Sequence, residues 1–281
     1  MIIIDQLNDL RNQVDIWRRG GNVAFVPTMG NLHAGHLSLV KRAQALADRV
    51  VVSIFVNPLQ FGEGEDFASY PRTLKRDQAM LESEGTDLLF SPSVELMYPK
   101  PQTEQTRVEV PRLSEMLCGA TRPGHFVGVA TVVCKLFNMV QPDIALFGKK
   151  DFQQLMVIRR MVDDLAMPIH IVGVDTLRED DGLAMSSRNG YLTEQERQVA
   201  PNLYRVITEL HDHLVAGDNG FAGLEERAAA ELNEQGLRTD YVAVRRSADL
   251  AMPEPGDREL VILAAAYLGK ARLIDNREVA R

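Results

Sequence analysis

Between residues 23 and 56 the chain carries an apolar run, a turn-prone loop, a helical pattern and a second apolar run, in that order. The first run, 23–26, stops at Pro27. The helical pattern begins near Ala34, with apolar Leu37, Leu39, Val40, Ala43 and Leu46, and the second run covers 50–56. Strand, loop, helix, strand is a βαβ unit, whose two strands lie parallel with the helix crossing over one face. A parallel sheet needs helices on both faces, so this one stretch narrows the fold to an α/β layer structure. It also fixes where a ligand binds: at the junction of the first strand's C-terminal end and the helix N-terminus.

That junction carries His33 and His36, in the string HAGH. A helix N-terminus already suits phosphate through its unpaired N–H groups and partial positive charge. Imidazoles three residues apart on the opening turn share a face and add donors aimed at the same anion. Gly35 between them leaves room for close approach to the backbone. Neither GxxxxGK[ST] nor GxGxxG occurs here, so the commoner phosphate loops do not account for the pattern. Surface histidines and half of a metal site are the plainer readings. The preceding strand and the Pro-Thr-Met-Gly loop favour nucleotide phosphate.

The rest of the chain extends the same alternation. Leu7, Leu10, Val14 and Trp17 recur at helical spacing before Gly20-Gly21. Helices are expected over 73–84, 126–140 and 152–165, and strands over 87–90, 144–147 and 169–174. Residues 98–106 read as an exposed connection. Together these predict a doubly wound, Rossmann-like parallel sheet over residues 1–175. Around 176–190 the pattern turns polar and glycine-punctuated. Beyond it come helices near 193–215 and 224–235, strands near 241–245 and 260–267, and a last short strand at 272–274. Residues 176–281 are expected to form a smaller α+β domain that closes over the first.

Composition excludes several classes of partner. The 281 residues carry a net charge of −8, whereas nucleic-acid binding demands a basic surface. A small anionic substrate remains compatible, because charge inside a cleft can oppose the global sign. Cys118 and Cys134 lie in no metal-ligand spacing and suit a reducing, cytoplasmic setting. The opening MIII runs at once into Asp5 and a polar helix, unlike a signal peptide or anchor. No apolar run approaches the roughly 20 residues of a membrane span.

Three further clusters could carry chemistry. Asn57 and Gln60 follow the second strand, where amides can bind a hydroxyl and a carboxylate without adding charge. Lys150, Asp151 and Gln154 follow the strand at 144–147; Lys150 would offer a cation to phosphate, and Asp151 could cap the next helix or accept from ribose. Ser186, Ser187 and Arg188 offer two hydroxyls and a guanidinium on a loop. Taken alone, each cluster also reads as an ordinary turn or solvated loop. Arg122 and His125 either approach a substrate or brace the helix that follows them.

The strings PTMGNLHAGH, VVVSIFVNPLQF, YPRT, FGKKDFQQL and DGLAMSSRNGYL, in this order, resemble the pantoate–β-alanine ligase family of the HxGH nucleotidyltransferase superfamily. The resemblance covers nearly the whole chain. It implies a homodimeric, cytoplasmic enzyme that uses ATP with Mg2+ to join pantoate to β-alanine through pantoyl adenylate, releasing pyrophosphate and AMP. It also implies residue roles: His33, His36, Lys150 and Arg188 in catalysis, and Asn57, Gln60 and Gln154 around pantoate and β-alanine. ATP would meet Met29, Gly30, His33, Gly35, His36, Gly148, Lys149, Lys150, Asp151, Leu177, Met185, Ser186, Ser187 and Arg188. Asp77 matches a position near the ATP-borne magnesium. Lys149 departs from the family's usual glutamate. The acceptor of the β-alanine amine proton and the surface that pairs in a dimer are not legible here. A nucleotidyltransferase that stops after transfer, and a nucleotide sensor without turnover, are the rival readings.

Overall fold

The computed structural model describes residues 1–62 and 64–281. They divide into two compact units, Met1–Lys149 with Gln154–Asp175, and Lys150–Gln153 with Thr176–Arg281.

In the first unit the elements run β1 (Ile2–Ile4), α1 (Leu7–Arg18), β2 (Val23–Thr28), α2 (Ala34–Gln44), β3 (Arg49–Ile54), α3 (Leu74–Ser83) and β4 (Leu88–Phe90). Then follow α4 (Val94–Met97), α5 (Cys118–Thr121), α6 (His125–Val140), β5 (Ile144–Gly148), α7 (Phe152–Asp164) and β6 (His170–Val174). The strands form one six-stranded sheet in the order β1-β4-β3-β2-β5-β6, parallel throughout. The chain winds outward from β2 through β3 to β4, then returns to lay β5 on the other side of β2. Direction therefore reverses between β2 and β5, the point where open parallel sheets bind ligands.

Alternation along the strands sorts the core. Val26, Val52, Ile54 and Leu146 face Leu39 and Val40 of α2. On the opposite face Phe25, Phe137 of α6 and Phe147 meet edge to face, with centroids 6.4 and 6.2 Å apart, a geometry the ring quadrupoles favour. β2 runs through Pro27 to Thr28 rather than stopping before it. At Pro27 the strand is paired with β3, while its pairing with β5 covers Ala24 and Phe25, so the missing N–H falls beyond the β5 ladder. The MIII start forms an edge strand on β4, which a three-residue pattern did not announce.

The second unit holds α8 (Glu194–Val199), α9 (Asn202–Val215), α10 (Phe221–Glu234), β7 (Arg238–Arg246), β8 (Glu259–Leu268) and β9 (Ala271–Ala280). Its three strands are antiparallel, ordered β7-β8-β9. Leu203, Val206, Ile207 and Leu210 of α9 pack on Ile262 and Leu273 of the sheet. The helix expected over 193–215 is two helices, because Pro201 lacks the N–H that would continue the ladder. The last strand is ten residues long, not three. Its polar stretch points partly inward: Asp275 is 4% exposed and ion-paired with Arg178, so buried charge disguised the strand. Among the described residues, no helix is long and apolar enough to cross a membrane.

Candidate active site

The β2–α2 loop is held from three sides. Thr28 Oγ1 donates to the Ser53 carbonyl of β3 at 2.8 Å and accepts from Gly30 N–H at 3.2 Å. Gly30, at φ +82°, and Asn31, at φ 50°, turn the chain through the left-handed region, which suits glycine and asparagine. The next two backbone N–H groups, of Asn31 and Leu32, both donate to Asp77 at 2.9 Å. Thr73 Oγ1 donates to the same carboxylate at 3.1 Å, which is 0% exposed. Both oxygens accept from the protein itself, and Asp77 fixes the loop that presents the histidines.

The histidines close the loop as a capping box built from imidazoles. His33 is the N-cap of α2, and its Nδ1 accepts from Gly35 N–H at 3.1 Å; His36 Nδ1 accepts from His33 N–H at 3.3 Å. The ring centroids lie 4.1 Å apart. With each Nδ1 accepting, the ring proton sits on Nε2. A Ser/Glu box would satisfy the same backbone groups but end there. Imidazole accepts with one nitrogen and keeps a donor on the other.

Along the sheet, the loop after β3 holds Asn57, 1% exposed, and Gln60. Asn57 Nδ2 donates to Gln60 Oε1 at 3.0 Å and to the Gly128 carbonyl at 3.1 Å. Its Oδ1 accepts from Leu59 N–H at 3.3 Å and from the Tyr98 hydroxyl at 2.8 Å. Gln60 Nε2 lies 3.2 Å from Met29 Sδ, linking this loop to the histidine loop. Burial pushes the Tyr98 phenol up, so it stays a neutral donor. Tyr98 thus belongs to the core of this site, not to an exposed connection.

Gly128, on the first turns of α6, lets the helix touch the 58–60 turn. A Cβ there would overlap the Leu59 carbonyl and come within 2.7 Å of Gln60 N. A lone glycine inside the apolar 126–140 pattern was the signal for such an approach. Gly128→Ala should cost about 1–3 kcal/mol, as overpacking does, read as a lower urea midpoint; an unchanged midpoint contradicts this packing.

Arg122 and His125 meet Glu65 and the Gln60 turn. Arg122 makes a two-pronged ion pair with Glu65, 2.7 Å on each side. His125 Nδ1 lies 2.8 Å from the Gln60 carbonyl. Burial alone would raise the Glu65 carboxyl, but Arg122 and the Gly62 N–H together hold it below the usual carboxylate range. Gln154, half-buried, stands on the opening turn of α7, just past the end of β5 and its Gly148. Lys149 pairs with Asp175 at 3.0 Å, so its ammonium is engaged at the surface, where Asp175 is 90% exposed.

The second unit gathers the remaining expected residues. Residues 177–185 fold back on themselves: Met185 N–H donates to the Leu177 carbonyl at 3.0 Å, and Arg178 bridges to Ala184. Ser186 caps a short 3-10 turn, its Oγ accepting from Arg188 N–H at 3.2 Å, with Ser187 and Arg188 inside that turn. Lys150 and Ser186 line one small pocket with Asn189 and Asp275; Asp151 follows in the same unit.

Sequence reasoning passed over what holds that pocket. Asn276 donates to the Lys150 carbonyl at 2.8 Å. Arg178 stacks 3.6 Å over the Tyr204 ring and grips Asp275 at 2.6 and 3.0 Å. Arg178 and Asp275 lie 97 residues apart in the chain, and Lys150 and Asn276 lie 126 apart, beyond the reach of any local pattern.

Comparisons with known proteins bear on the family. Residues 2–278 match the family described as pantoate-beta-alanine ligase. Pantothenate synthetase of Shewanella halifaxensis is 58% identical over 280 residues, 99% of each chain. That of Colwellia psychrerythraea is 55% identical over 285 residues, again 99% of each. Among solved structures, pantothenate synthetase from Thermus thermophilus superposes with a TM-score of 0.91 at 47% identity, covering both chains fully. Pantoate-beta-alanine ligase from Francisella tularensis, complexed with beta-gamma ATP and beta-alanine, gives 0.83 at 35% identity, over 99% of this chain and 97% of that one. A shared architecture at this identity, together with a match along the whole length, leaves one assignment: the chain belongs to the pantoate–β-alanine ligase family.

Proposed function

We propose that this chain condenses pantoate with β-alanine at the expense of ATP, by way of pantoyl adenylate, giving pantothenate, AMP and pyrophosphate. The observation that carries the reading is the imidazole capping box beside the Asn57–Gln60 amides at the ends of neighbouring strands. One site is built for phosphate and the other for a hydroxy acid.

In the first step the pantoate carboxylate attacks the α-phosphorus. A P–O bond forms to the acid, the bond to the β-phosphate oxygen breaks, and pyrophosphate leaves. No general base is needed, because the carboxylate is already ionised near neutrality. The protein aligns the reactants and meets the growing phosphate charge with fixed donors. His33 and His36 offer Nε2–H, Lys150 and Arg188 offer cations, and Gly30 and Gly35 admit the phosphates to the backbone. Gln60, Asn57 and Gln154 hold the acid. The family likeness assigns ATP contacts to Met29 and Gly148 in the first unit and to Asp151, Leu177, Met185, Ser186 and Ser187 in the second.

In the second step the β-alanine amine attacks the acyl carbon and the C–O bond to AMP breaks. While the capping box stands, each histidine Nδ1 accepts from backbone and each Nε2 carries a proton. While it stands, neither ring has a lone pair for the amine proton.

Magnesium fits as an ion carried by the phosphates, where it would neutralise their charge. It keeps waters and takes few protein ligands, and among the described residues no group of three His, Cys, Asp or Glu side chains is placed to hold a metal. Homodimeric assembly and a cytoplasmic setting are part of the proposal on the strength of the family likeness; sedimentation of the purified chain tests the former.

Incubation with ATP, magnesium, pantoate and β-alanine, omitting each in turn, tests the reaction. AMP formation should require all four. AMP formed at the same rate without β-alanine, or no AMP with the full mixture, contradicts it.

A further inference from the structure

We propose that Glu65, Arg122 and His125 form a positioning relay that fixes the backbone of Gln60 and thereby sets the reach of its amide toward the acid substrate. The proposal rests on the reading of Gln60 as a pantoate ligand.

The relay has a defined direction. Glu65 receives Arg122 Nε and Nη2 at 2.7 Å each, and its Oε2 also accepts from Gly62 N–H at 3.2 Å. A carboxylate gripping both prongs leaves the guanidinium little freedom to rotate. Arg122 Nη1 then lies 3.0 Å from His125 Nε2. A guanidinium cannot accept, so Nε2 is the acceptor and the ring proton sits on Nδ1. That proton points at the Gln60 carbonyl, 2.8 Å away. Arg122 Nη2 reaches the same oxygen at 3.4 Å.

Gln60 is thus held from two directions. Its carbonyl faces Nδ1 of His125, and its N–H side abuts Gly128. A residue clamped on both sides of its Cα presents its amide along one line, and that amide meets Asn57 Nδ2. The Arg122 and Glu65 side chains are 16% and 26% exposed, so water screens the pair less than a surface ion pair. Glu65 also ties Gly62, two residues past Gln60, to this brace. A brace for α6 alone would need no defined tautomer at His125; a relay to the Gln60 carbonyl does.

The tautomer provides the test. An asparagine amide nitrogen falls where Nδ1 stands, and a glutamine amide nitrogen falls where Nε2 stands. Pantoate and ATP KM values from pyrophosphate exchange, with thermal midpoints, are to be measured for His125→Ala, His125→Gln, His125→Asn and Glu65→Gln. Loss of the Gln60 bond in the Ala and Gln variants should raise the pantoate KM about 5–10-fold, as expected for one hydrogen bond of about 1 kcal/mol. The ATP KM should stay within about 2-fold, a spread below 0.5 kcal/mol. His125→Asn, which keeps the donor, should restore pantoate KM, and Glu65→Gln should fall between.

Asn and Gln variants behaving alike, or both KM values rising together with a fall in midpoint, would overturn the relay. Gln60→Ala serves as the reference. If it leaves pantoate KM unchanged, the reading of Gln60 itself fails. If it raises pantoate KM while every His125 variant is silent, the relay alone fails.

Discussion

His36→Ala and Lys150→Ala should each slow pantoate-dependent exchange of pyrophosphate into ATP by roughly 10²–10³-fold, the usual effect of removing one charge-stabilising donor. Alanine at 36 also removes half of the capping box, and a lost cap costs about 1 kcal/mol. That is less than tenfold, so the larger loss is assigned to the Nε2 donor. His36→Asn separates the two effects. Its side-chain oxygen can still accept from His33 N–H, but nothing replaces Nε2–H. Stability should return while exchange stays slow. At Lys150 the structural tie runs through the backbone carbonyl, which accepts from Asn276. Alanine there removes the ammonium and leaves the tie in place. Near-wild-type exchange in both alanine variants would take these residues out of the chemistry.

Asp77→Ala should destabilise the chain by about 3–5 kcal/mol, the range for breaking a buried charged network, and raise the ATP KM as the histidine loop loosens. The physical reason is the number of donors left behind. Asn31 N–H, Leu32 N–H and the Thr73 hydroxyl all lose their acceptor at a site with no solvent access, and unsatisfied buried groups cost about 1–3 kcal/mol each. A magnesium-binding carboxylate would behave otherwise: its loss would shift the magnesium dependence of the rate and leave the melting midpoint alone. Here Asp77→Asn should lower the midpoint and leave the magnesium dependence unmoved.

Much of this site was legible before the fold was. The switch from an apolar run to helical spacing across residues 23–48 located β2, α2 and the histidine pair, because a change of period survives any tertiary context. Asn57, Gln60 and Lys150 could be placed at strand ends by the same logic. What stayed hidden was whatever depends on a distant partner. Asp275 and Asn276 fell just past the short strand expected at 272–274, since nothing local shows that Arg178 neutralises one and the Lys150 carbonyl employs the other. Tyr98 looked exposed beside Pro99 and Lys100, yet its hydroxyl serves Asn57. Asp77 was read only through the family likeness, as a position near the ATP-borne magnesium, and nothing local showed that it holds the loop ahead of His33. Arg122 and His125 stood undecided because their partners, Glu65 and Gln60, lie about sixty residues upstream.

The central claim is that two neutral imidazoles at the mouth of the β2–α2 crossover hold a triphosphate next to an amide-lined seat for the acid. A crystal structure of this chain with a non-hydrolysable ATP analogue tests it most directly. Phosphate oxygens should lie about 3 Å from Nε2 of His33 and His36, within hydrogen-bonding range. Phosphates bound elsewhere, with both Nε2 atoms facing only water, would contradict it.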